Sequence, residues 1–241
     1  MISIFRKIRQ KLLTENKVSK YLMYAVGEIV LVVIGILIAL SINNWNEWRK
    51  DRVLEKEMLS GLILNLESNV SLLDGRVKYF ERGQNSGKII LNVIDHRLPN
   101  QDTLGGHFSQ AMRGYGGADG ISYIAYEDLK NNGFGLITNK ALKDEILRLF
   151  ETTYRTLISF DATFVQHNAY HKEVIGKLFY YDKPNSLKPF DFDEIFKSYD
   201  FYSSLTDLHV NYGWMKEETI NGLSETRRVL QLITEEKNKS D

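Results

Sequence analysis

The longest apolar stretch of the chain covers residues 21–42 and reads YLMYAVGEIVLVVIGILIALSI. Glu28 is its only charged residue. A helix of this length spans about 33 Å, close to the thickness of the hydrocarbon core of a bilayer. Inserting one acid costs about 2–3 kcal/mol, which the many leucine, isoleucine and valine side chains outweigh. The pattern therefore predicts one transmembrane helix over residues 21–42.

Beyond this span, apolar residues recur three and four positions apart, which is the pattern of helices with one buried face. The first stripe consists of Leu59, Leu62, Leu66, Val70, Leu73, Val77 and Phe80. A second helix is expected over residues 86–94, ending before Pro99. A last helix is predicted to run toward Ile233, and its stripe begins with Phe201, Leu205, Leu208, Tyr212, Met215, Thr219 and Gly222.

The longest periodic stretch lies between these stripes and alternates spacings of four and three residues. Its members are Ile146, Phe150, Thr153, Leu157, Phe160, Phe164, His167, His171, Val174, Leu178 and Tyr181. This is the spacing of a heptad seam, and it predicts antiparallel bundle packing or coiled-coil pairing inside the domain. Before it, Ser122 is expected to cap a shorter helix over residues 123–130.

Glycine, proline and acidic residues mark the connections. Six glycines fall within residues 105–120, and no Lys-Ser or Lys-Thr follows, so we expect a mobile or partner-contacting loop rather than a phosphate-binding loop. Residues 180–190 hold two of the three prolines and are expected to form a linker. The acidic residues 191–194 suit a helix start, because they complement its dipole. The tail over residues 236–241 is expected to fray.

These patterns together predict an all-α fold. A single N-terminal transmembrane helix continues into an antiparallel helical bundle with long helices, and the soluble helical domain covers residues 43–235. Only three prolines occur in 241 residues, which favours long helices over a sandwich or a barrel. The sequence contains no cysteine, which excludes disulfides, thiolate metal sites and cysteine nucleophiles.

The charges that flank the span predict its orientation. Before residue 21 the only acid is Glu15, and the basic residues are Arg6, Lys7, Arg9, Lys11, Lys17 and Lys20. The basic residues that follow the span are Arg49, Lys50, Arg52 and Lys56. By the positive-inside rule the N-terminus lies in the cytoplasm and the large domain outside. Residues 1–20 are then a cytoplasmic basic segment, either an amphipathic helix on the membrane surface or an unstructured region that sets topology.

Aromatic residues flank the span at the positions expected of anchors in the membrane–water interface. They are Tyr21, Tyr24, Trp45 and Trp48. The alternative is a cleaved signal peptide with its apolar core over residues 29–42 and a cleavage site near Ser41. The tryptophans after the span and the apolar residues before Glu28 favour the anchor, so we expect the lipid bilayer to be a partner of this chain.

Glu28 is the most informative residue of the span, because an ionisable group in a bilayer is expected to face protein or water. It shares one helix face with Val32, Gly35 and Ala39. The small residues Gly35 and Ala39 let another helix approach closely. This face predicts a helix–helix contact, in a homo-oligomer or with another membrane protein. The alternative is that Glu28 reaches the cytoplasmic headgroups and has no function.

Candidate chemistry in the soluble domain is sparse. Lys+Arg and Asp+Glu both number 31, and this zero formal charge gives no reason to expect a nucleic-acid partner. His167 and His171 have the spacing of a metal pair, but no HExxH motif surrounds them and no third ligand can be assigned. They are expected to be core or rim residues. No GxSxG elbow occurs, and no cofactor is predicted.

Several segments carry a resemblance to a known family. They are FRKIRQKLL (5–13), YAVGEIVLVVIGILIAL (24–40), INNWNEW (42–48) and YEDLKNNGFGLITNKALKDEI (126–146). The chain resembles an uncharacterised family of bacterial single-pass inner-membrane proteins, which has this anchor and a helical domain of unknown function. The resemblance implies the envelope of a Gram-negative bacterium, and it implies no activity, substrate or catalytic residue.

The sequence thus leaves two classes of function open. The first is a non-enzymatic membrane-anchored envelope protein that oligomerises or docks a partner through its span and helical domain. The second is a metal-binding or enzymatic bundle that uses His167 and His171. The layout of a cytoplasmic tail, a span with one acid and an outer domain also matches accessory subunits of proton-coupled membrane complexes, in which Glu28 would carry protons.

Overall fold

A computed structural model describes residues 18–114 and 120–239 of the chain, without the side chains of residues 18–21, 166 and 167. Most of the predicted basic segment, residues 1–17, lies outside this description. The chain divides into two compact units, Met1–Leu54 and Glu55–Asp241. Helix α1 covers Val18–Asp95 and supplies the described part of the first unit and the beginning of the second.

The first unit contains the apolar stretch. From Leu22 to Ile42 its side chains are exposed, apart from the half-buried Ala25 and Glu28. The most apolar window of α1 has a mean hydropathy of 2.7, and none of it is buried. Among the described residues, α1 is the one helix long and apolar enough to cross a membrane. The predicted N-terminal apolar helix is therefore present, and the chain is compatible with a single-pass membrane protein.

The second unit is mostly helical and contains one small sheet. After α1 come α2 (Leu104–Ala111) and α3 (Ile124–Asp128), which continues as a π-helical turn over Leu129–Gly133. Helix α4 (Lys140–Arg148) passes through a π-helical segment, Leu149–Tyr154, into α5 (Arg155–Leu178). The strands β1 (Phe179–Lys183) and β2 (Ser186–Pro189) follow, then the short α6 (Phe192–Ile195) and the long α7 (Tyr199–Lys239). The prediction of a mainly helical bundle is confirmed.

Helix α1 does not break between the two helices that the sequence predicts there. It continues past Phe80 to Asp95, because no residue in between interrupts its backbone and Gly83 and Gly87 serve close packing against α7. A Schellman motif ends it: the amide of Leu98 donates to the carbonyl of Val93 (3.0 Å), and Arg97 adopts a left-handed φ of +48°.

The three long helices have defined relative directions. Leu157 of α5 faces Gly222 of α7, whereas His171 further along α5 bonds Ser204 further back on α7, so these helices are antiparallel. Helix α7 runs antiparallel to α1 in the same way, with Arg227 near Asp74 and His209 near Gln84. Helices α1 and α5 run parallel, because Asn69 bonds Tyr154 and Arg76 pairs with Asp161. The bundle is therefore only partly antiparallel.

Two hydrophobic cores lie along the bundle. The first contains Leu59, Leu62, Leu66, Leu73, Tyr126, Ile146, Phe150, Tyr154, Val229 and Ile233. The second contains Phe80, Ile90, Phe108, Phe179, Leu187, Phe201, Leu205 and Tyr212. The predicted stripe on α1 points into both cores, with Val70 and Val77 half-buried and its other members buried.

The structure departs from the predicted heptad seam at Thr153, in the π-helical segment, and at its last residue, Tyr181. The π-helical segment inserts extra backbone relative to an α-helical register, so the buried residue there is Tyr154 while Thr153 is half-buried. At the far end Tyr181 lies on β1 and is 65% exposed. Ile146, Phe150, Leu157, His171 and Val174 are buried as the seam predicts.

The predicted linker over residues 180–190 is a β-hairpin. Phe179 pairs with Pro189 and Tyr180 with Lys188 in antiparallel register, and Asn185 takes a φ of +62° at the turn. The hairpin forms because Phe179 and Leu187 bury their side chains in the second core. Pro184 and Asn185, the residues that most favour a loop, form only the turn between the two strands.

Other connections also differ from expectation. Helix α2 occupies the first half of the glycine-rich segment and buries Phe108, whereas residues 115–119 lie outside the description. Ser122 caps no helix, since α3 begins after Tyr123 without a side-chain cap. Helix α7 extends through the predicted frayed tail to Lys239, and residues 240–241 are not described.

The predicted acidic helix start after Pro189 is confirmed, because the Asp191 carboxylate accepts a hydrogen bond from the amide of Asp193 at 2.9 Å.

Candidate functional site

The face predicted for a helix–helix contact lies within an unbroken stretch of α1. Its residues Glu28, Val32, Gly35 and Ala39 recur every three to four positions, so regular helical geometry aligns them. Val32 is 57% exposed. A Cβ atom built on Gly35 meets no heavy atom within 4 Å, so a larger side chain fits there in the single chain. Any penalty for such a side chain would have to come from a second molecule.

The aromatic anchors after the span are each paired with an arginine. The guanidinium carbon of Arg49 lies 5.8 Å from the centroid of the Trp45 ring, and that of Arg52 lies 5.7 Å from Trp48. Both indoles are exposed, at 61% and 56%. The sequence analysis treated these arginines only as flanking charge. The repeated spacing of four residues from tryptophan to arginine was the signal that could have identified the pairs.

At the other end of the span, Tyr24 is exposed at 51%. The side chain of Tyr21 lies outside the described part of the structure. Of the two tyrosines predicted to lie at the membrane interface, only Tyr24 therefore has a described side chain.

His171 is a buried packing residue with both ring nitrogens engaged. Its Nδ1 lies 2.5 Å from Ser204 Oγ, and its Nε2 lies 3.3 Å from Asp207 Oδ2. Ser204 and Asp207 stand three positions apart on α7, which places both on the side that faces α5. His171 is only 3% exposed. The interaction therefore fixes how α5 docks on α7.

This Ser-His-Asp grouping does not form a catalytic triad. Ser204 has no exposed surface, so its hydroxyl cannot reach a substrate. The side chain of His167 lies outside the description. Within residues 18–114 and 120–239, no three histidine, aspartate or glutamate side chains come close enough together to hold a metal ion.

A second buried polar group joins α1 to the segment before α3. The Asn69 side chain donates from Nδ2 to the Ser122 carbonyl (3.0 Å) and accepts at Oδ1 from the Ser122 amide (2.8 Å). Tyr154 Oη lies 3.0 Å from Thr226 Oγ1 and 3.4 Å from Asn69 Nδ2. Burial raises the pKa of Tyr154 to about 12, so this phenol stays protonated at neutral pH. These bonds satisfy buried polar atoms and hold the core together.

An ion pair also crosses the core between the parallel helices. Arg76 Nη1 lies 3.2 Å from Asp161 Oδ2, and their side chains are 11% and 1% exposed. Buried pairs of this kind specify packing more than they add stability. We assign this pair a structural role in aligning α1 with α5.

Two comparisons give no match: no curated protein and no solved structure is detectably similar to this chain. The fold and the contacts above are therefore interpreted from this chain alone. Residues 28–91 match the model of a family of unknown function, DUF6090. The matched residues cover most of α1. This match confirms the resemblance to an uncharacterised family that the anchor segments indicate.

Proposed function

We propose that this chain is a non-enzymatic, membrane-anchored envelope protein that oligomerises or docks a membrane partner through one face of its anchor helix. The observation that carries the proposal is the exposure of the apolar segment from Leu22 to Ile42. Exposed isoleucine, leucine and valine on all sides of a helix are stable in lipid and unfavourable in water. The surplus of basic residues before the span supports an inner-membrane protein with a cytoplasmic N-terminus and a periplasmic domain.

The contact face follows from the cost of an acid in lipid. Glu28 lies inside the apolar segment, and a carboxyl group there is stable when it faces protein or water. The small residues Gly35 and Ala39 on the same face allow two helix backbones to approach closely, which strengthens packing where no hydrophobic effect operates. An acid and small residues on one face support a protein neighbour on that side, and a second copy of the chain is the simplest one.

The experiment uses the absence of cysteine from the sequence. Val32→Cys places a single thiol on the proposed face, and oxidation in native membranes should give a disulfide-linked dimer. Gly35→Leu in this background should lower the dimer yield several-fold, because the larger side chain keeps the two helix backbones apart. Gly27→Leu is the matched control, since Gly27 also has open space around it but lies on another face.

Equal dimer yields from the Gly35→Leu and Gly27→Leu proteins would contradict the proposed face. If the Val32→Cys thiol instead crosslinks to a different membrane protein through a photoreactive maleimide, and Gly35→Leu abolishes that adduct, the face is a docking site for a partner rather than for a second copy.

A further inference from the structure

We infer that the two tryptophan–arginine pairs after the span bind the headgroup of an anionic phospholipid. The pairs are Trp45 with Arg49 and Trp48 with Arg52, with ring-to-guanidinium distances of 5.8 and 5.7 Å. The inference rests on the proposed membrane crossing and deepens it, because it names a chemical partner for the membrane interface of the anchor.

The four residues lie on one side of α1. Spacings of three, one and three residues place Trp45, Trp48, Arg49 and Arg52 within a sector of about 100° on the helix surface. The neighbouring acids Glu47 and Asp51 project outside this sector by the same geometry. Two positive charges and two indoles therefore share one side of the helix, away from Glu47 and Asp51.

The arginine side chains are directed toward the bilayer. Side chains of an α-helix lean toward its N-terminus, so each guanidinium lies over the tryptophan one turn closer to the apolar segment. Trp45 is about 5 Å beyond Ile42 along the helix axis, which is about the thickness of one headgroup layer. The charge of Arg49 is thereby brought back to the depth of lipid phosphates, and the charge of Arg52 lies about one turn further from the apolar segment.

The chemistry of the pairs suits a phosphate and the acyl chains attached to it. The guanidinium of Arg49 lies within cation–π range of the Trp45 indole, and its N–H groups can donate to a phosphate in bidentate fashion. On the same side of the helix, toward the apolar segment, a shallow groove is lined by Ile34, Leu37, Ile38, Ser41, Ile42 and Trp45. The groove offers an apolar path for an acyl chain below the headgroup.

Brominated lipids test the inference, because bromine quenches tryptophan fluorescence at short range. The chain has three tryptophans, so Trp214→Phe leaves only Trp45 and Trp48 as reporters. The full chain is reconstituted in vesicles of phosphatidylcholine and phosphatidylglycerol at one fixed ratio and low salt. In one preparation the phosphatidylglycerol is brominated, and in the other an equal mole fraction of the phosphatidylcholine is brominated.

We expect brominated phosphatidylglycerol to quench more strongly than brominated phosphatidylcholine. Arg49→Gln should reduce the local enrichment about fivefold, since a basic residue near an anionic surface contributes about 1 kcal/mol. Lys50→Gln is the charge-matched control, because Lys50 lies on the opposite side of the helix, and it should leave the preference unchanged.

The outcomes separate the two proposals. Equal quenching by both brominated lipids, or an equal loss of preference in the Arg49→Gln and Lys50→Gln proteins, would overturn the lipid site while the membrane crossing stands. Absence of quenching by either lipid would overturn the membrane crossing itself.

Discussion

Two stretches of helix α1 are both rich in large aliphatic residues and expose them very differently. Between Leu22 and Ile42, leucine, isoleucine and valine side chains are 47% to 65% exposed on every side. From Leu59 to Phe80, the buried residues fall on one face, and Glu67, Asp74 and Lys78 lie away from it, whereas Arg76 pairs with Asp161 across the core. The period of the apolar residues distinguishes the two stretches: apolar residues on all sides of a helix are compatible with lipid, whereas apolar residues on one face pack against protein.

The largest expected effect on the free energy of unfolding comes from replacing leucine by alanine, and this substitution is compared at three positions of α1. Leu66 is fully buried, Leu64 is 69% exposed on the same turn of helix, and Leu31 is 65% exposed in the apolar segment. Leu66→Ala should lower the free energy of unfolding by about 2–5 kcal/mol, because it leaves a cavity in the first core. Urea unfolding of the full chain in detergent, followed by circular dichroism, measures this loss.

Leu64→Ala and Leu31→Ala are the controls for this measurement. Both should change the unfolding of the helical domain by less than about 0.5 kcal/mol, because neither side chain contributes to its cores. A large destabilisation by Leu31→Ala would show that the apolar segment packs against protein and would remove the basis of the comparison.

Replacing either of two glycines of α1 by alanine should change the stability of the domain by an intermediate amount, and the sign should differ between the packed side and the open side of the helix. A Cβ on Gly83 would lie 2.7 Å from a ring carbon of Tyr212, which is itself packed against Tyr79 and Phe80. Gly83→Ala should therefore destabilise the domain by about 1–3 kcal/mol through overpacking. Gly75 has no heavy atom within 4 Å of such a Cβ. Gly75→Ala should stabilise by about 0.5–1 kcal/mol through helix propensity.

Thermal unfolding of the two alanine variants measures whether Gly83→Ala lowers stability and Gly75→Ala raises it. If both variants gain stability, the close approach of α1 and α7 at Gly83 is not a tight contact, and the helix there is packed no more closely than the open side that carries Gly75.

The smallest expected effect lies on the surface of the second unit and depends on pH. Glu145 pairs with Arg228 and, at 2.6 Å, with Arg148. The hydrogen bond from Arg228 is the main cause that lowers the pKa of Glu145 in the folded protein. The pair therefore stabilises the fold above the pKa of the unfolded glutamate, about 4.3, and this contribution disappears as pH falls through the folded pKa.

Glu145→Gln should cost less than about 1 kcal/mol at pH 7, because both partners are partly exposed. The difference from the unmodified protein should shrink as pH falls below about 4.3 and vanish once the carboxyl group of the folded protein is protonated. A constant difference from pH 7 to pH 3 would mean that packing or helix propensity, rather than charge, causes the effect.

The sequence predicted the features that depend on local period and composition. The apolar segment, the stripe from Leu59 to Phe80 and the acidic start at Asp191 all follow from residues within a few turns of each other. The uninterrupted course of α1 through residues 81–95 was missed because Gly83 and Gly87 weaken the helical pattern. Their role becomes clear only when Tyr212 and His209, more than a hundred positions away, are placed against them.

The candidate site shows the same limit. The alignment of Glu28 with Gly35 is visible in one helix and needed no structure. The bonds of His171 to Ser204 and Asp207 join two helices, so spacing alone could not distinguish a packing residue from a metal ligand. The hairpin over residues 179–189 was hidden because Pro184 and Asn185 indicate a turn, whereas the burial that makes the flanking residues strands is a tertiary effect.

The parallel course of α1 and α5 has a consequence for biosynthesis. Two parallel neighbours cannot be joined by a tight turn, and here both Asn69–Tyr154 and Arg76–Asp161 join residues 85 positions apart. At a translation rate of about 5–20 residues per second, about 4–17 seconds pass between the synthesis of these partners. During that interval the leucine face of α1 already exists in the growing chain, whereas the helices that cover it have not yet been made.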